Sequence, residues 1–203
     1  MIRFKQISFL AIILSLFIYI GYSIIINYLA NFYYENGEKY KKEERYDEAI
    51  DEYKKAISFD KERAEPYISL AALYTKLSII NKGEKRFLLE KAREYYLNAA
   101  EINPYNSFVH RDLGWVYYQL AQTERLNISK ARYLSLAKKG FTQAVNLYPV
   151  NPHLHLSLGR FYFNIGKSDD AIFEYKKASL YNPLKREDIL READRIRKKV
   201  TLQ

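Results

Sequence analysis

A small residue followed four positions later by an aromatic, and seven positions later by alanine, occurs four times in this 203-residue chain. The copies are Ala49, Tyr53 and Ala56; Ala92, Tyr96 and Ala99; Ala137, Phe141 and Ala144; and Ala171, Tyr175 and Ala178. Spacings of four and seven put all three residues on one face of a helix. The first and last copies sit in nearly the same text, Asp47 to Ala56 and Asp169 to Ala178. Five residues after the last Ala come Lys61, Pro104, Pro149 and Pro183. Proline cannot continue a helix, so each later copy ends where the next segment starts.

Upstream of each copy lies a second pattern, a small residue with Tyr three positions on. It is Leu113-Gly114 with Tyr117, and Leu158-Gly159 with Tyr162; Asn36-Gly37 with Tyr40 and Leu70-Ala71 with Tyr74 are weaker forms. The small residue lets a neighbouring helix approach, and the Tyr fills the space between them. Each unit is thus a helix pair that cannot bury its apolar face alone. These residues resemble the tetratricopeptide repeat family, whose signature is an aromatic, Leu-Gly, Tyr, then Ala, Phe or Tyr, Ala and Pro over about 34 residues. The resemblance implies an all-α fold: a right-handed solenoid of four helix pairs, here behind an N-terminal transmembrane helix and closed by a C-terminal capping helix. Repeats are placed at 30–63, 64–106, 107–151 and 152–185, with residues 1–29 as the anchor segment and 186–203 as cap and tail.

The chain departs from that family in three ways. The aromatic near the start of the first helix is Tyr33 and Tyr67 in the first two repeats but His110 and His155 in the last two. The closing Pro is Lys61 in repeat one. The middle repeats are also long. From the first-helix Tyr to the second-helix Ala is nine residues in repeats one and four, but 18 in repeat two (Tyr74 to Ala92) and 20 in repeat three (Tyr117 to Ala137). The extra residues read as helix. Leu77, Ile79 and Ile80 extend one helix and Phe87, Leu88 and Leu89 open the next. In repeat three, Leu120 and Leu126 extend the first helix, and Tyr133, Leu134 and Leu136 lie on the second. Asn81-Lys82-Gly83 and Asn127-Ile128-Ser129 read as turns, with Ser129 as an N-cap. The latter triplet also matches a glycosylation sequon, a weaker reading than the turn. Two adjacent lengthened repeats should project side by side. Last comes an amphipathic helix, Arg186 to Val200, with Ile189, Ala193, Ile196 and Val200 as its apolar stripe and charge elsewhere, as a terminal cap requires.

Gln6 to Tyr34 contains no charged residue, and Ile7 to Ile26 is a 20-residue, almost wholly apolar run. At about 1.5 Å per residue such a helix spans the roughly 30 Å bilayer core. A cleaved signal peptide has a shorter apolar region, of about 7–15 residues, and a small-x-small site. Tyr28-Leu29-Ala30 is a poor match to such a site. An uncleaved single-pass anchor is therefore expected, with Tyr28, Phe32, Tyr33 and Tyr34 at the outer interface. Arg3 and Lys5 precede the run, while Lys39 is the first basic residue after it, so the N-terminus is expected in the cytoplasm and the repeats outside it. A bacterial inner membrane facing the periplasm, or a cell surface, suits that topology.

Composition excludes several kinds of chemistry. The absence of Cys removes disulfides, thiolate zinc sites, thiol catalysis and lipoprotein processing. Only seven Gly argue against a phosphate loop. His153 and His155 alternate after Pro152, but residues two apart do not share a helical face. The shared repeat position of His110 and His155 favours packing over metal ligation. Acidic pairs such as Asp47-Glu48 suit a solvated helix start. The chain reads as non-enzymatic, with no metal and no cofactor.

Binding is the better-supported function. In the family, repeat positions 2, 5, 9 and 12 of the first helix line a groove. The resemblance carries this to Ile68, Ala72 and Thr75; to Phe108, Arg111, Trp115 and Tyr118; and to His153, Leu156, Arg160 and Phe163. The alternative for Trp115, the sole Trp, is packing beneath the inserted helices. The groove lacks the all-polar Lys/Asn clamp that some family members use to hold a C-terminal carboxylate. Residues 30–65 carry a net charge of −3 and residues 66–203 a net of +10. A basic surface steers an acidic partner or meets anionic lipid; nucleic acid is not expected outside the cytoplasm. The main expectation is a membrane-anchored scaffold that binds a protein or peptide and supports an envelope complex. One alternative is self-assembly into a homo-oligomer through the insertion surface of Ile79, Ile80, Phe87, Leu88, Leu126, Tyr133 and Leu134. The other is a non-catalytic accessory subunit of a membrane or envelope enzyme or secretion system.

Overall fold

The computed structural model describes the backbone of residues 2–201 and the side chains of residues 12–197. The side chains of Arg3, Lys5, the first part of the apolar run and Val200 lie outside the described set. Among the described residues nine α-helices follow one another, with no strand: α1 (Ile2–Lys42), α2 (Tyr46–Phe59), α3 (Ala64–Ile80), α4 (Lys85–Ile102), α5 (Ser107–Thr123), α6 (Asn127–Leu147), α7 (Pro152–Asn164), α8 (Ser168–Tyr181) and α9 (Arg186–Thr201). Short 3₁₀ turns precede α4 and α9. The chain divides into two compact units, Met1–Leu70 and Ala71–Gln203, with the boundary inside α3.

In the first unit, α1 is one unbroken helix of 41 residues. Its last turn holds Lys39, Lys41 and Lys42, which complement the negative end of the helix dipole. The apolar residues from Ile12 to Tyr28 are mostly exposed, whereas Ala30 and Gly37 are buried. The next helix, α2, starts after Glu44, whose φ of 60° lies in the left-handed region, and carries Asp47 and Glu48 in its first turn. The first helix of the first repeat is therefore the same rod as the apolar segment.

A recurring contact joins the two helices of a pair. A Cβ added to Gly37 would lie 2.6 Å from the Tyr53 ring, so glycine is what allows the fully buried ring to lie there. In the second unit the same relation joins Gly114 of α5 to Phe141 of α6, at 3.1 Å, and Gly159 of α7 to Tyr175 of α8, at 3.0 Å. The α5–α6 crossing is closer still. A Cβ on Gly140 would meet the His110 carbonyl oxygen at 2.8 Å and the Gly114 Cα at 3.1 Å. Tyr96 of α4 is buried, with Ala71 at the corresponding position of α3 also buried.

The lengthened repeats show in helix length. The helices α4, α5 and α6 have 18, 17 and 21 residues, against 14, 13 and 14 for α2, α7 and α8. One turn differs from the sequence reading. The helix α5 stops at Thr123, and Leu126 is not its continuation but the N-cap of α6, which begins at Asn127. Asn127 to Ser129 are the first residues of α6 and not a turn, and Ser129 is not the cap. The Leu126 carbonyl accepts from Lys130 N–H at 3.0 Å, which commits the chain to helix three residues earlier than the cap-forming side chain suggests. Elsewhere, side-chain caps are in place: Asn106 accepts from the Phe108 and Val109 amides, and Asn151 from that of His153. At the far end, Ile189, Ala193 and Ile196 of α9 are buried with Ala171, Ile172, Tyr175 and Ala178 of α8, so the last pair is covered by the cap.

Polar contacts tie the first unit together. Glu38 of α1 accepts from Lys41 Nζ at 2.6 Å, Tyr53 Oη at 2.6 Å and Ser69 Oγ at 2.8 Å. Burial pulls the Glu38 carboxyl upward, but these donors and the Lys41 charge together hold it below its ordinary value. Burial and then the facing carboxylate push the Tyr53 phenol upward.

Two outcomes are expected. Gly140→Ala should destabilise the protein by about 1–3 kcal/mol through overpacking, although Ala is favoured over Gly by about 1 kcal/mol in a helix interior. Gly83→Ala, with nothing within 4 Å, should change little; thermal melting of both variants checks the comparison. For Glu38, the folded value lies below the unfolded one, so its contribution is full above roughly pH 5 and lost as pH falls through the lowered folded value. Wild-type melting temperature should therefore drop more steeply from pH 7 to pH 3 than that of Glu38→Gln. Parallel curves would show that the three donors do not stabilise the charged carboxylate.

Candidate protein-binding face

The positions expected to line the groove fall on α5 and α7. Phe108, Arg111, Trp115 and Tyr118 recur at helical spacing on α5 and are half-buried or exposed. The Arg111 guanidinium lies 4.9 Å from the Phe108 ring centroid and donates from Nε to Asp112 at 2.7 Å. Trp115 meets Tyr118 edge-on at 5.7 Å and Phe141 of α6 edge-on at 5.0 Å. Tyr118 in turn meets Phe161 of α7 edge-on at 6.1 Å. Trp115 thus rests one edge on the core while the rest of its surface is only partly covered. That is the setting in which an aromatic anchor is held in place before a partner arrives, so little conformational entropy is lost on binding.

The α7 positions are divided. Arg160 is exposed; burial, chiefly, raises the Tyr175 phenol, and the Arg160 charge opposes the rise. Leu156 and Phe163 are half-buried against the α8–α9 cluster. This cluster therefore covers part of the surface that the repeat register assigns to a ligand, and what α7 leaves open is mostly Arg160 and the exposed His153. In repeat two, Ile68 and Thr75 are half-buried and Ala72 is exposed.

The insertion residues also divide. Ile79, Ile80, Phe87 and Leu126 are 55–70% exposed, and Tyr133 and Leu134 are half-buried. Leu88 is the exception: it is 5% exposed and belongs to the α4 core face beside Leu89, Ala92 and Tyr96, so it is not part of an outer surface.

The two late histidines have a structural task that the sequence leaves open. His155 Nε2 lies 2.7 Å from the Pro149 carbonyl oxygen, and its Nδ1 lies 2.6 Å from Glu174 Oε2. Both ring nitrogens are engaged and the residue is 2% exposed, so neither nitrogen is left for a metal. His110 Nε2 faces the Pro104 carbonyl oxygen at 2.8 Å, and the Tyr67 hydroxyl donates to the Lys61 carbonyl at 3.3 Å. In all three repeats one residue reaches back six positions to the same inter-repeat carbonyl. His replaces Tyr there because an imidazole N–H can donate to that oxygen as a phenol does. Among the described residues no group of three or more His, Asp or Glu is placed to hold a metal ion.

The helix pairs, their small-over-aromatic crossings and the back-bonded turns define a helical-repeat protein of the interaction type. Two family models match the chain, "TPR repeat" at residues 37–78 and "Tetratricopeptide repeat" at residues 152–183. Both matched segments are tetratricopeptide repeats, and the fold of the chain is that of tetratricopeptide repeat proteins. The matches bracket the lengthened α5–α6 pair, which neither covers. Among solved structures, the chain is similar to TTC0263, a thermophilic TPR protein in Thermus thermophilus, with a TM-score of 0.62 and 21% identity over 81% of this chain and 80% of that one. A structure of MamA protein gives a TM-score of 0.61 and 20% identity over 84% and 89% of the two chains. YrrB, described as a TPR protein with an unusual peptide-binding site, gives 0.59 and 22% over 82% and 74%. At these identities the likeness is one of fold. No curated protein matches the chain.

The His155 contacts carry an expectation. His155→Ala leaves the buried Glu174 side chain without its hydrogen-bond partner, which should cost about 1–3 kcal/mol. Glu174→Gln keeps a hydrogen-bonding group and should cost less. Equal losses in chemical denaturation would mean that the hydrogen bond between the two side chains does not stabilise the fold.

Proposed function

We propose that this chain is a membrane-held scaffold whose α5 face, extended by Arg160 of α7, binds a segment of another protein and supports an envelope complex. The observation that carries the reading is the half-exposed row of Phe108, Arg111, Trp115 and Tyr118, braced by ring contacts and a guanidinium–ring contact. Arg and large aromatics are the side chains that dominate binding energy at protein interfaces. The fold supports it too, since tetratricopeptide repeats as a class serve protein–protein contact, and YrrB is described by its peptide-binding site. The net of +10 over residues 66–203 favours an acidic partner through electrostatic steering.

The membrane part of the reading rests on α1. It is long and apolar enough to cross a bilayer, with a mean hydropathy of 2.0 in its apolar window, none of it buried by the rest of the protein. Because α1 continues without a break into the first repeat, the bilayer segment and that repeat move as one rod. The basic residues Arg3 and Lys5 orient the N-terminus to the cytoplasm. Protease added to the outer face of the membrane should then digest the repeats; digestion only from the cytoplasmic side would reverse the topology.

From crosslinked, carbonate-washed membranes the chain should co-purify with a stoichiometric partner. Arg111→Glu combined with Trp115→Ala should lose that partner, by about tenfold or more given the usual weight of such anchors, with helical content retained. Unchanged recovery would move the binding surface off α5.

A further inference from the structure

The lengthened repeats bring a second, separate group of side chains together. The start of α4 is joined to the end of α5 by Arg86 Nη2 to Glu124 Oε1 at 2.8 Å, and to the start of α6 by the Tyr133 hydroxyl donating to Glu90 Oε1 at 2.9 Å. Between them is a cleft of about 170 Å³ lined by Arg86, Arg93, Glu124, Ser129, Arg132 and Tyr133. Three guanidiniums line it, and two carboxylates offset two of them. Glu124 Oε1 is ion-paired with Arg86 but is a buried acceptor without an aligned hydrogen bond; Glu90 is taken by Arg93, at 2.9 Å, and by Tyr133. Arg132 pairs with no carboxylate among the described residues and sits exposed at the edge of the cleft. The buried Arg93 Nε, though close to Glu90, lacks hydrogen-bond alignment and so keeps an unused donor. The first turn of α6 has no side-chain cap, which adds unsatisfied amides at the same end of that helix.

Around this cationic cleft stand large apolar side chains. Ile79 and Ile80 end α3, Phe87 opens α4, and Leu126 and Ile128 flank the start of α6, all between 55% and 87% exposed. Residues 79–87 carry a net charge of +2, and so do residues 123–134. An unpaired guanidinium in a polar cleft takes a carboxylate, bidentate by preference. Exposed apolar side chains beside it take apolar side chains flanking that carboxylate.

We propose that the edge formed by the two insertions is a second recognition site, whose ligand is an acidic-apolar segment of a partner protein. A Glu or Asp side chain enters the cleft to meet Arg132 and the free Arg93 donor, and its apolar neighbours cover Phe87, Leu126 and Ile128. This site shares no residue with the α5 face and does not depend on it.

The absence of Cys makes a direct test available. The full chain in detergent micelles, carrying Ala131→Cys labelled with an environment-sensitive dye, is titrated with acetyl-Phe-Glu-Glu-Leu-amide, with its Gln-Gln counterpart, and with inorganic phosphate. Saturable binding of the acidic peptide is expected, at least tenfold tighter than that of the Gln peptide and weakened by salt. Phosphate should compete for the cleft without reproducing the full dye response, since it lacks the apolar part. Arg132→Gln, which disturbs no existing pair, should weaken the acidic peptide by tenfold or more; Arg86→Glu should do the same if helical content is intact. Arg111→Glu plus Trp115→Ala should leave the titration unchanged, which separates failure here from failure of the α5 reading. Equal binding of both peptides, an unaffected Arg132→Gln variant, or a dye response that follows protein concentration alone would overturn the proposal, the last by assigning the edge to a second copy of the chain.

Discussion

Everything in this structure depends on how closely two helices of a pair can approach. An aromatic side chain between two helices leaves room for little or no side chain opposite it at the crossing. The chain resolves this by placing a small residue on the first helix beneath the aromatic of the second. Gly37 lies under Tyr53, Gly114 under Phe141 and Gly159 under Tyr175. Each pair so formed still presents an apolar side, and burying it requires another helix. The contact therefore sets both the pair and the need for a neighbour, and α9 ends the series by covering Ile172 and Tyr175 while turning its charged face outward.

The same constraint explains the third repeat. Its helices are long, with 17 and 21 residues, and they make two close crossing contacts. A second glycine, Gly140, brings α6 against the α5 backbone at His110 and Gly114. With that crossing tight, the extra turns run alongside each other to their ends, where Arg86, Glu124, Tyr133 and Glu90 interlock them with the start of α4.

Much of this is legible in the residues. The small-aromatic-Ala spacing identifies the second helix of each pair, the Gly-x-x-Tyr pattern identifies the first, and the Tyr-to-Ala distances reveal which repeats are long. Three features are not legible, each for a physical reason. Gly140 reads as a weak point inside a helix, because its partner is a backbone oxygen on another helix and leaves no trace in local pattern. The start of α6 misleads because Asn-Ile-Ser has the composition of a capped turn, while the actual cap, Leu126, uses only its carbonyl. Leu88 shares the run of apolar residues at the start of α4 with Phe87, and one helical step of about 100° separates the buried side chain from the exposed one. The histidines lie between these cases: their common repeat position points to packing, but the carbonyl they serve, six residues back, emerges only once the turn is folded.

On the α5 face, the anchor-type residues are neither buried nor loose. Trp115 is fixed from beneath by Phe141 and from the side by Tyr118, and Arg111 is held over Phe108. Such pre-organisation is what a binding surface needs and what a merely solvated helix face lacks. The most direct measurement is site-specific photocrosslinking in intact membranes, with the crosslinking residue placed at Tyr118 and, as comparison, at the exposed Phe173 of α8. A single discrete adduct from position 118 and none from 173 is the expected result. An adduct from position 173 alone, or the same adduct from both, would contradict the assignment of the α5 face as the site where the partner binds.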